Sequence, residues 1–332
     1  MTTYTAINLI KRPTGSHIDS SLFEIVEKKV PSIGPGELFI KQQHMSLDPA
    51  MFGWMSADTD SYIPPVALGE VMRSHGIGEV VISHHPDFKI GDRVIGSMGW
   101  QEYCVSTGKG LNKVTVPLSN ENVLSVFGLP GITAVQGLLN IGHPKKGETL
   151  IVTGAAGSVG SIVGQLAKAE GLRVIGVVGS QEKADWIINE LGFDAAINYK
   201  SGHLDTQLAA AAPNGIDLYF ENTGGPIQHL IFDRINPHGR VVVCGLIADY
   251  HSEVPALGPS WINIIKRRIT IQGFTMPDHH QQIPALLEKL TPYIVAGKIK
   301  YRAHLLTGLE SAINGLNLFT RGENKGKLIV KL

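Results

Sequence analysis

Residues 150–171, LIVTGAAGSVGSIVGQLAKAEG, join an apolar strand to a helix through three spaced glycines. Gly154, Gly157 and Gly160 lack side chains, which allows a tight turn, close approach of phosphate oxygens and close packing of the helix on the strand. The amide groups and dipole of a helix that begins near Ser158 favour a negatively charged ligand. The spacing is GxxGxxG rather than GxGxxG, and an ordinary strand–turn–helix uses glycine in the same places. On its own the segment leaves a dinucleotide pyrophosphate site and a structural turn equally open.

The sequence that follows supports the dinucleotide interpretation. Residues 172–178, LRVIGVV, form a second apolar run, which begins at the distance from the glycines that a βαβ unit needs. An NAD-selective site usually has Asp or Glu at the tip of this strand, whereas the tip here is Gly179 and Ser180. A small, uncharged tip leaves room for a 2′-phosphate, and Lys183 can supply the compensating charge while Glu182 points away. The sequence therefore predicts NADPH as cofactor, although Lys183 is also open to interpretation as a solvated surface lysine.

Hydrophobic periodicity divides the chain into two kinds of structure. Beyond Thr149 the pattern predicts an α/β fold with a doubly wound, six-stranded parallel Rossmann sheet, its strands at Leu150–Thr153, Arg173–Val178, Ala195–Asn198, Ile216–Phe220, Arg240–Cys244 and Thr270–Phe274. Before residue 120, short runs between Gly and Pro clusters predict a β-rich domain with strands at Ala6–Ile10, Leu22–Val26, Leu38–Gln42, Glu79–Ile82, Arg93–Gly96 and Glu102–Val105. A helix at Leu309–Thr320 and a strand at Lys327–Lys331 should fold back onto that domain. The predicted domains are residues 1–122 with 300–332, and residues 123–299.

Composition restricts the class of protein. The chain has 332 residues, 43% of them hydrophobic, and can therefore bury a large core. Its formal charge is zero and its longest basic run is Lys266–Arg268, so we expect no nucleic-acid or membrane partner. No apolar stretch approaches the roughly 20 residues of a membrane span, and the first residues do not form a signal peptide, so we expect a cytoplasmic globular protein. Cys104 and Cys244 are too few for a disulfide framework.

Several motifs occur in a characteristic order along the whole chain. They are Ser46–Pro49 (SLDP), Leu129–Ala134 (LPGITA), Asn198–Lys200 (NYK), Glu221–Gly225 (ENTGG), and Cys244–Leu246 (CGL) followed by Tyr250. With these motifs the chain resembles the medium-chain dehydrogenase/reductase superfamily from end to end, and within it the zinc-independent prostaglandin reductase and alkenal double-bond reductase family. Met55–Val66 and Gly99–Tyr103 are similar to the bacterial NADPH-dependent curcumin reductases of that family. The resemblance implies an NADPH-dependent homodimer in which a Rossmann domain is joined to a GroES-like catalytic domain.

The resemblance also implies which residues bind NADPH. Lys183 and Tyr199 are expected at the 2′-phosphate and Asn222 at the ribose. The end of the fifth strand should pass beneath the cofactor, the end of the sixth should meet the nicotinamide through backbone groups, and the tail should return to the cofactor. The complete predicted set is Gly157, Ser158, Val159, Gly160, Gly179, Ser180, Lys183, Tyr199, Asn222, Cys244, Gly245, Leu246, Tyr250, Phe274, Thr275, Met276 and Asn324.

The chain departs from two patterns of the superfamily. The double-bond reductases commonly read Asp-Pro-Tyr-Met-Arg, whereas this chain has Ala50 and Phe52 in place of the tyrosine and the arginine. Gly69-Glu70 lies where zinc alcohol dehydrogenases have Gly-His-Glu, and two cysteines cannot build a four-cysteine zinc lobe. The histidines of the pairs His84-His85 and His279-His280 point apart and lack a nearby cysteine or acidic cluster. No metal site is therefore predicted.

These features favour reduction of a carbon–carbon double bond over interconversion of an alcohol and a ketone. The alcohol reaction involves an alkoxide, for which zinc acts as Lewis acid, whereas the charge of an enolate is delocalised and can be held by hydrogen bonds. Our hypothesis is that hydride from NADPH reaches the β-carbon of an enone or enal, a hydroxyl stabilises the enolate oxygen, and the α-carbon takes a proton. Tyr250 is the first candidate for this hydroxyl or for holding the ribose, and Tyr62 is the second, with a structural role open for both. A zinc-free NADPH quinone oxidoreductase and a non-catalytic NADPH-binding protein remain as alternatives.

Overall fold

The computed structural model describes residues 3–15, 17–250 and 257–332. The chain folds into two compact units. The α/β unit is Ser125–Arg302, and the β-rich unit consists of the residues up to Leu124 together with Ala303–Leu332. Within the described ranges, every helix is too short or too polar to cross a membrane.

The helices and strands of the described residues follow one another in a simple order. The strands are β1 (Thr3–Leu9), β2 (Phe23–Lys29), β3 (Leu38–Ser46), β4 (His75–Ser83), β5 (Arg93–Ser97), β6 (Tyr103–Ser106), β7 (Asn112–Lys113), β8 (Thr149–Thr153), β9 (Arg173–Val178), β10 (Ala195–Asn198), β11 (Ile216–Glu221), β12 (Ile235–Val243), β13 (Thr270–Gly273), β14 (Ala303–Thr307) and β15 (Lys327–Lys331). The α-helices are α1 (Ala50–Met55), α2 (Asn120–Leu124), α3 (Leu129–Val135), α4 (Ser158–Ala169), α5 (Gln181–Asn189), α6 (Leu204–Ala211), α7 (Ile227–Phe232), α8 (Trp261–Arg267), α9 (Ile283–Val295) and α10 (Ser311–Thr320). A π-helical segment, Gln136–Gly142, continues α3, and 3₁₀ helices lie at Ser20–Leu22 and Met276–Gln282.

The sheet of the α/β unit confirms the predicted doubly wound fold. Its described strands run parallel in the order β10-β9-β8-β11-β12-β13, so the winding direction reverses between β8 and β11. In open parallel sheets such a reversal opens a crevice at the carboxyl ends of the strands. The predicted fifth strand was wrong at its start, because β12 begins at Ile235 and contains an irregularity before Arg240. The predicted ends at Cys244 and Phe274 are each one residue too long.

Alternating side chains of the parallel strands belong to two separate hydrophobic cores, one on each face of the sheet. Leu150 and Val152 of β8 are fully buried on one face of the sheet, where they share a cluster with Ile162, Val163 and Leu166 of α4. Ile151, between them, belongs to the cluster on the other face, with Tyr219 and Ile231. Successive side chains of a strand point to opposite faces, and helices cover both faces here. This arrangement explains why the strands appear in the sequence as continuous apolar runs.

The β-rich unit carries the returning tail. Its larger sheet has the described strand order β14-β15-β3-β4-β5-β7, with β6 also pairing with β3, while β1 and β2 form a separate antiparallel pair. The expected return of the tail is confirmed, since β15 pairs antiparallel with β3 and places Ile329 opposite Ser46. The tail helix begins at Ser311, two residues later than predicted.

Polar residues inside β3 explain why this strand was predicted too short. The strand continues beyond Gln42 to Ser46, and its partner β4 correspondingly begins at His75. Gln42 is buried, and its side-chain nitrogen donates to Gly99 O at 3.0 Å and to Gln101 O at 2.6 Å, while its side-chain oxygen has no hydrogen-bond partner among the described residues. The bonds to its nitrogen offset part of the cost of burying the amide, which a hydrophobic pattern does not reveal. The short strand β7 was not predicted.

A buried ion pair fastens β15 to the end of β3. Lys327 is 2% exposed, and its Nζ donates at 2.7 Å both to Asp48 Oδ1 and to Leu47 O. Ser46 Oγ donates to the other oxygen of the same carboxylate. Burial raises the pKa of Asp48, but the charge and hydrogen bond of Lys327 and the bond from Ser46 outweigh it, so this pKa lies below its ordinary value. The carboxylate is therefore ionised near neutral pH.

We predict that Lys327→Met destabilises the protein by roughly 3–5 kcal/mol at pH 7, because it leaves the Asp48 carboxylate buried without its cation. The folded-state pKa of Asp48 is below the unfolded value, so the pair stabilises the protein above about pH 4 and this contribution is lost as pH falls through the folded pKa. The variant should lose this dependence, so the gap between the two proteins narrows in acid. Urea unfolding at neutral and acidic pH measures it.

Lys113→Met provides the matched control in the same unit. Lys113 pairs with Asp92 at 2.8 Å, but both side chains are substantially exposed. Solvent screens such pairs, so its removal should cost far less than removal of the buried lysine. Equal losses for the two variants would show that burial does not make the Lys327 pair special.

Candidate functional site

The glycine turn between β8 and α4 has a geometry that only glycine permits. Gly154 adopts φ +61°, and its carbonyl oxygen accepts from Gly157 N at 2.8 Å. A Cβ on Gly160 would lie 2.4 Å from the same oxygen, so any side chain there would push the helix off the strand. Helix α4 begins at Ser158, and Gly157 at its N-cap offers no side chain to the first-turn amides. The turn therefore presents backbone amides at the crevice, as a pyrophosphate requires.

The tips of β9 and β10 form one corner beside this turn. A Cβ on Gly179 would lie 3.0 Å from Tyr199 Oη, so the tyrosine ring lies directly against the glycine. Ser180 caps α5 by accepting from Lys183 N at 3.3 Å, which places Lys183 in the first helical turn. Lys200 Nζ lies 5.9 Å from the centroid of the Tyr199 ring. The structure thus brings together the four predicted residues of this corner and adds Lys200, which was assigned no role from the sequence.

Asn222 is tied to the end of the neighbouring strand β8. Its backbone N–H donates to Thr153 Oγ1 at 2.9 Å, and its side-chain Nδ2 donates to Thr153 O at 2.8 Å. Both contacts hold the residue where the crevice opens between β8 and β11. The remaining side-chain oxygen of Asn222 is the group that a ribose hydroxyl can reach.

Glu221 is the centre of a buried hydrogen-bond network. From the sequence it was named only within the motif Glu221–Gly225 and was given no role. Its side chain is 0% exposed. One carboxylate oxygen accepts from Thr153 Oγ1 at 2.5 Å, Thr223 N at 2.7 Å and Gly224 N at 3.1 Å. The other accepts from the hydroxyl of Tyr219 and from Gln228 Nε2 at 3.1 Å. These hydrogen bonds hold the turn of Thr223 and Gly224 against the end of β11.

This buried carboxylate affects the pKa values of two neighbouring groups. Burial, followed by the charge and hydrogen bond of Glu221, raises the pKa of Tyr219 well above its ordinary value. Burial and Glu221 likewise raise the pKa of Cys244 to about 12. The Cys244 thiol therefore stays protonated near neutral pH and does not act as a nucleophile, consistent with its position at the base of the site.

The loop after β12 brings Tyr250 back to the strand ends. Cys244 N and Gly245 N donate to Glu221 O at 2.9 and 3.2 Å. Leu246 N donates to Tyr250 Oη at 3.3 Å, so the hydroxyl lies over the turn that follows the strand. Tyr250 is 43% exposed. The predicted residues Cys244, Gly245, Leu246 and Tyr250 therefore lie together.

The residues after β13 line the sheet end on its other side. Phe274 N donates to Val243 O at 3.4 Å, and a Cβ on Gly137 would lie 2.9 Å from the Phe274 ring. Thr275 and Met276 follow at the start of a 3₁₀ helix. His279 in that helix is half-buried, and its Nε2 lies 3.3 Å from Gln136 Nε2. This histidine packs within the α/β unit.

Three further predicted or divergent positions lie in the β-rich unit. Tyr62 is 60% exposed in the loop after α1, and Asn324 Nδ2 donates to Gly326 O at 3.4 Å. Phe52, where the reductase pattern has arginine, is buried and contacts Phe319 edge to face with ring centroids 6.4 Å apart. Over the described part of the chain, no three or more His, Cys, Asp or Glu side chains are grouped so that they could hold a metal ion.

Comparison with known proteins gives a consistent result. Two sequence families match, one described as the N-terminal domain of oxidoreductase over residues 5–114 and one described as zinc-binding dehydrogenase over residues 158–291. The NADPH-dependent curcumin reductase of Escherichia coli is 38% identical over 98% of this chain and 95% of that protein. The NADP⁺-dependent 2-alkenal reductase of Nicotiana tabacum is 38% identical over 92% and 90%. The crystal structure of CurA from Vibrio vulnificus in complex with NADPH matches with a TM-score of 0.93 and 37% identity over 98% of both chains.

Proposed function

The chain belongs to the NADP-dependent double-bond reductase family of the medium-chain dehydrogenase/reductases, and we propose that it uses NADPH to reduce the carbon–carbon double bond of α,β-unsaturated ketones or aldehydes. The observation that carries the proposal is the arrangement at the carboxyl edge of the parallel sheet. A glycine turn, an uncharged strand tip and the partly exposed Tyr250 all lie there. Relatives of similar length that carry the names curcumin reductase and 2-alkenal reductase support the substrate class.

The residues of this edge fit a dinucleotide phosphate. The space left by Gly157 and Gly160, with the amides of α4, suits the pyrophosphate. The corner of Gly179, Ser180 and Tyr199 leaves no acid where a 2′-phosphate would lie. We assign cofactor contacts to Gly157, Ser158, Val159, Gly160, Gly179, Ser180, Lys183, Tyr199, Asn222, Cys244, Gly245, Leu246, Tyr250, Phe274, Thr275, Met276 and Asn324.

Lys183 is proposed to bind the 2′-phosphate that distinguishes NADPH from NADH. A charge-assisted hydrogen bond is worth about 1.5–3 kcal/mol, so Lys183→Ala should raise the Kd for NADPH roughly 10- to 150-fold and leave NADH nearly unchanged. Calorimetric titration with both cofactors measures the difference. Lys168→Ala is the control, because Lys168 Nζ lies 2.9 Å from both carboxylate oxygens of Asp194 and is already neutralised. An equal loss for NADPH and NADH in Lys183→Ala would refute the assignment.

The chain's own residues stabilise the charge that develops on the substrate. Bound NADPH supplies the hydride that the β-carbon of the double bond receives. The hydroxyl of Tyr250 donates to the enolate oxygen, with Tyr62 as second candidate donor, and the α-carbon then takes a proton. The residues at the expected zinc-ligand position, Gly69-Glu70, include no histidine or cysteine, so hydrogen bonds are assigned this task.

Oxidation of NADPH, followed at about 340 nm, tests the proposed reaction against enones, enals, quinones and simple ketones. We expect turnover of enones and enals to saturated carbonyls, preference for NADPH, and no turnover of simple ketones. In Tyr250→Phe, kcat should fall at least about 100-fold, the usual effect of removing one oxyanion donor. Tyr293→Phe is the control, because its hydroxyl donates to Glu170 at the opposite end of α4 and its loss should leave kcat unchanged.

Other outcomes of this assay would change the proposed function or the proposed role of Tyr250. Turnover of quinones alone would assign the chain to quinone oxidoreductases that share the fold. Tight NADPH binding without turnover of any substrate would identify a non-catalytic NADPH-binding protein. A rise in KM for NADPH at unchanged kcat in Tyr250→Phe would mean that the hydroxyl positions the cofactor and does not act on the enolate.

We also propose a cytoplasmic homodimer joined through the free edge of the parallel sheet. Strand β13 is the edge strand, and each of its residues is exposed. The adjacent helix α8 contains no buried residue, and its Trp261 and Ile265 are 76% and 71% exposed. An open edge beside apolar side chains favours pairing with a second copy of the chain. Light scattering should give twice the chain mass, whereas a monomer at micromolar concentration would exclude this interface.

A further inference from the structure

We propose that Glu221 is a positioning residue for NADP(H) binding, which acts by holding Asn222 and the Thr223–Gly224 turn at the mouth of the crevice. The inference rests on the proposed cofactor site and concerns a residue that lies behind it. Glu221 is fully buried and is the last residue of β11, paired with Val243 of β12 and one residue before Asn222. Its role must therefore pass through the groups that it binds.

The carboxyl group has donors at both of its oxygens. The backbone N–H groups of Thr223 and Gly224 donate to one oxygen, and the side-chain amide of Gln228 donates to the other. These neutral donors together replace the water that burial removes.

Thr153 transmits the position of this carboxylate to Asn222. A threonine hydroxyl has one proton to donate and lone pairs that accept. Here the proton is directed at Glu221 Oε1 at 2.5 Å, so the lone pair faces the Asn222 N–H at 2.9 Å. Without the carboxylate, the hydroxyl is free to rotate and the bond to Asn222 loses its direction. The order of dependence is Glu221, then Thr153, then Asn222.

The same residue also supports the loop that carries Tyr250. The turn that the carboxylate holds offers Thr223 O to Ala248 N at 2.8 Å. The backbone oxygen of Glu221 accepts from Cys244 N and Gly245 N. The side chain of Glu221 therefore reaches the Tyr250 loop through the Thr223 turn, and its loss should loosen both loops proposed to contact the cofactor, whereas the backbone bonds from Cys244 and Gly245 remain.

Asp217, at the other end of the same strand, is a matched comparison. Its Oδ2 accepts from Thr149 N at 2.8 Å, and its Oδ1 accepts from Asn236 Nδ2 at 2.8 Å. It thus joins β11 to β8 and β12, as Glu221 does, but at the amino end of the parallel strands. A purely structural role predicts that both carboxylates contribute to stability and neither to NADPH binding.

The test compares NADPH affinity with thermal stability in Glu221→Ala, Glu221→Gln and Asp217→Ala. Glu221→Ala should raise the Kd for NADPH about 10- to 100-fold, because buried donors beside the site lose their acceptor. Asp217→Ala should lower the unfolding temperature but keep the Kd within about twofold, since its partners lie at the far edge. In Glu221→Gln the amide can face Tyr219 and Gln228, whose groups can reverse, so the Kd should stay within about threefold.

If Glu221→Ala does not fold, the NADPH affinity of Thr153→Val tests the same inference. This change keeps the shape of the side chain and the carboxylate but removes the hydroxyl that links Glu221 to Asn222. We expect the Kd for NADPH to rise about tenfold, and an unchanged Kd would overturn the inference. Wild-type affinity in Glu221→Ala, or an equal rise in Asp217→Ala, would overturn it as well.

The binding measurement also separates this inference from the proposed reaction. If the unmodified protein binds NADPH but reduces no enone, only the proposed substrate class fails, and the Kd comparison still decides the role of Glu221. If the unmodified protein does not bind NADPH, the cofactor site and the positioning role fail together.

Discussion

The backbone amides beyond the carboxyl ends of parallel strands have no partner in the sheet, and they must find one elsewhere when they are buried. In this protein the strands supply it themselves. The carboxylate of Glu221 accepts from two amides of its own turn, and its backbone oxygen accepts from two amides after β12. Thr153 joins β8 to the same network. Because these amides are satisfied within the protein, the turns after β11 and β12 are held against the strand ends beside the glycine turn.

Predicted strand bounds agree with the structure where a short, unbroken run lies between clear turn residues. The bounds of β9, β10 and β15 agree with the structure. Strand β12 was predicted to begin late because Pro237 and Gly239 interrupt the pattern, although the chain continues through them by an irregularity in register. A strand that contains a break or a satisfied polar group cannot be recognised from periodicity alone.

Some residues of the candidate site could likewise be predicted from the sequence, and others could not. Gly160 and Gly179, where a side chain would meet neighbouring atoms, could be predicted because a dinucleotide turn and its strand tip need close approach. The roles of Glu221 and Lys200 could not be predicted, because side-chain contacts such as the bond from Thr153 to Glu221 do not follow from a hydrophobic pattern. An acid at the end of an apolar strand looks like an exposed boundary residue, and only the placement of Gln228 and Thr153 shows that it is buried and bound. Residues that the backbone geometry requires are therefore easier to predict from a sequence than hydrogen-bond networks formed by side chains.

Among the described residues, Asp48 and Glu221 illustrate two ways of accommodating a deeply buried carboxyl group. Asp48 is matched by the cation of Lys327, a solution that joins two strands and needs little of the backbone around it. Glu221 is surrounded by neutral donors, two of them main-chain amides of its own turn, so these hydrogen bonds are kept only if the turn keeps its shape. Removing a cation exposes one unpaired charge, whereas removing Glu221 frees several donors of two loops at once. The second arrangement couples local geometry to a single residue, and it lies at the edge of the sheet where a ligand depends on that geometry.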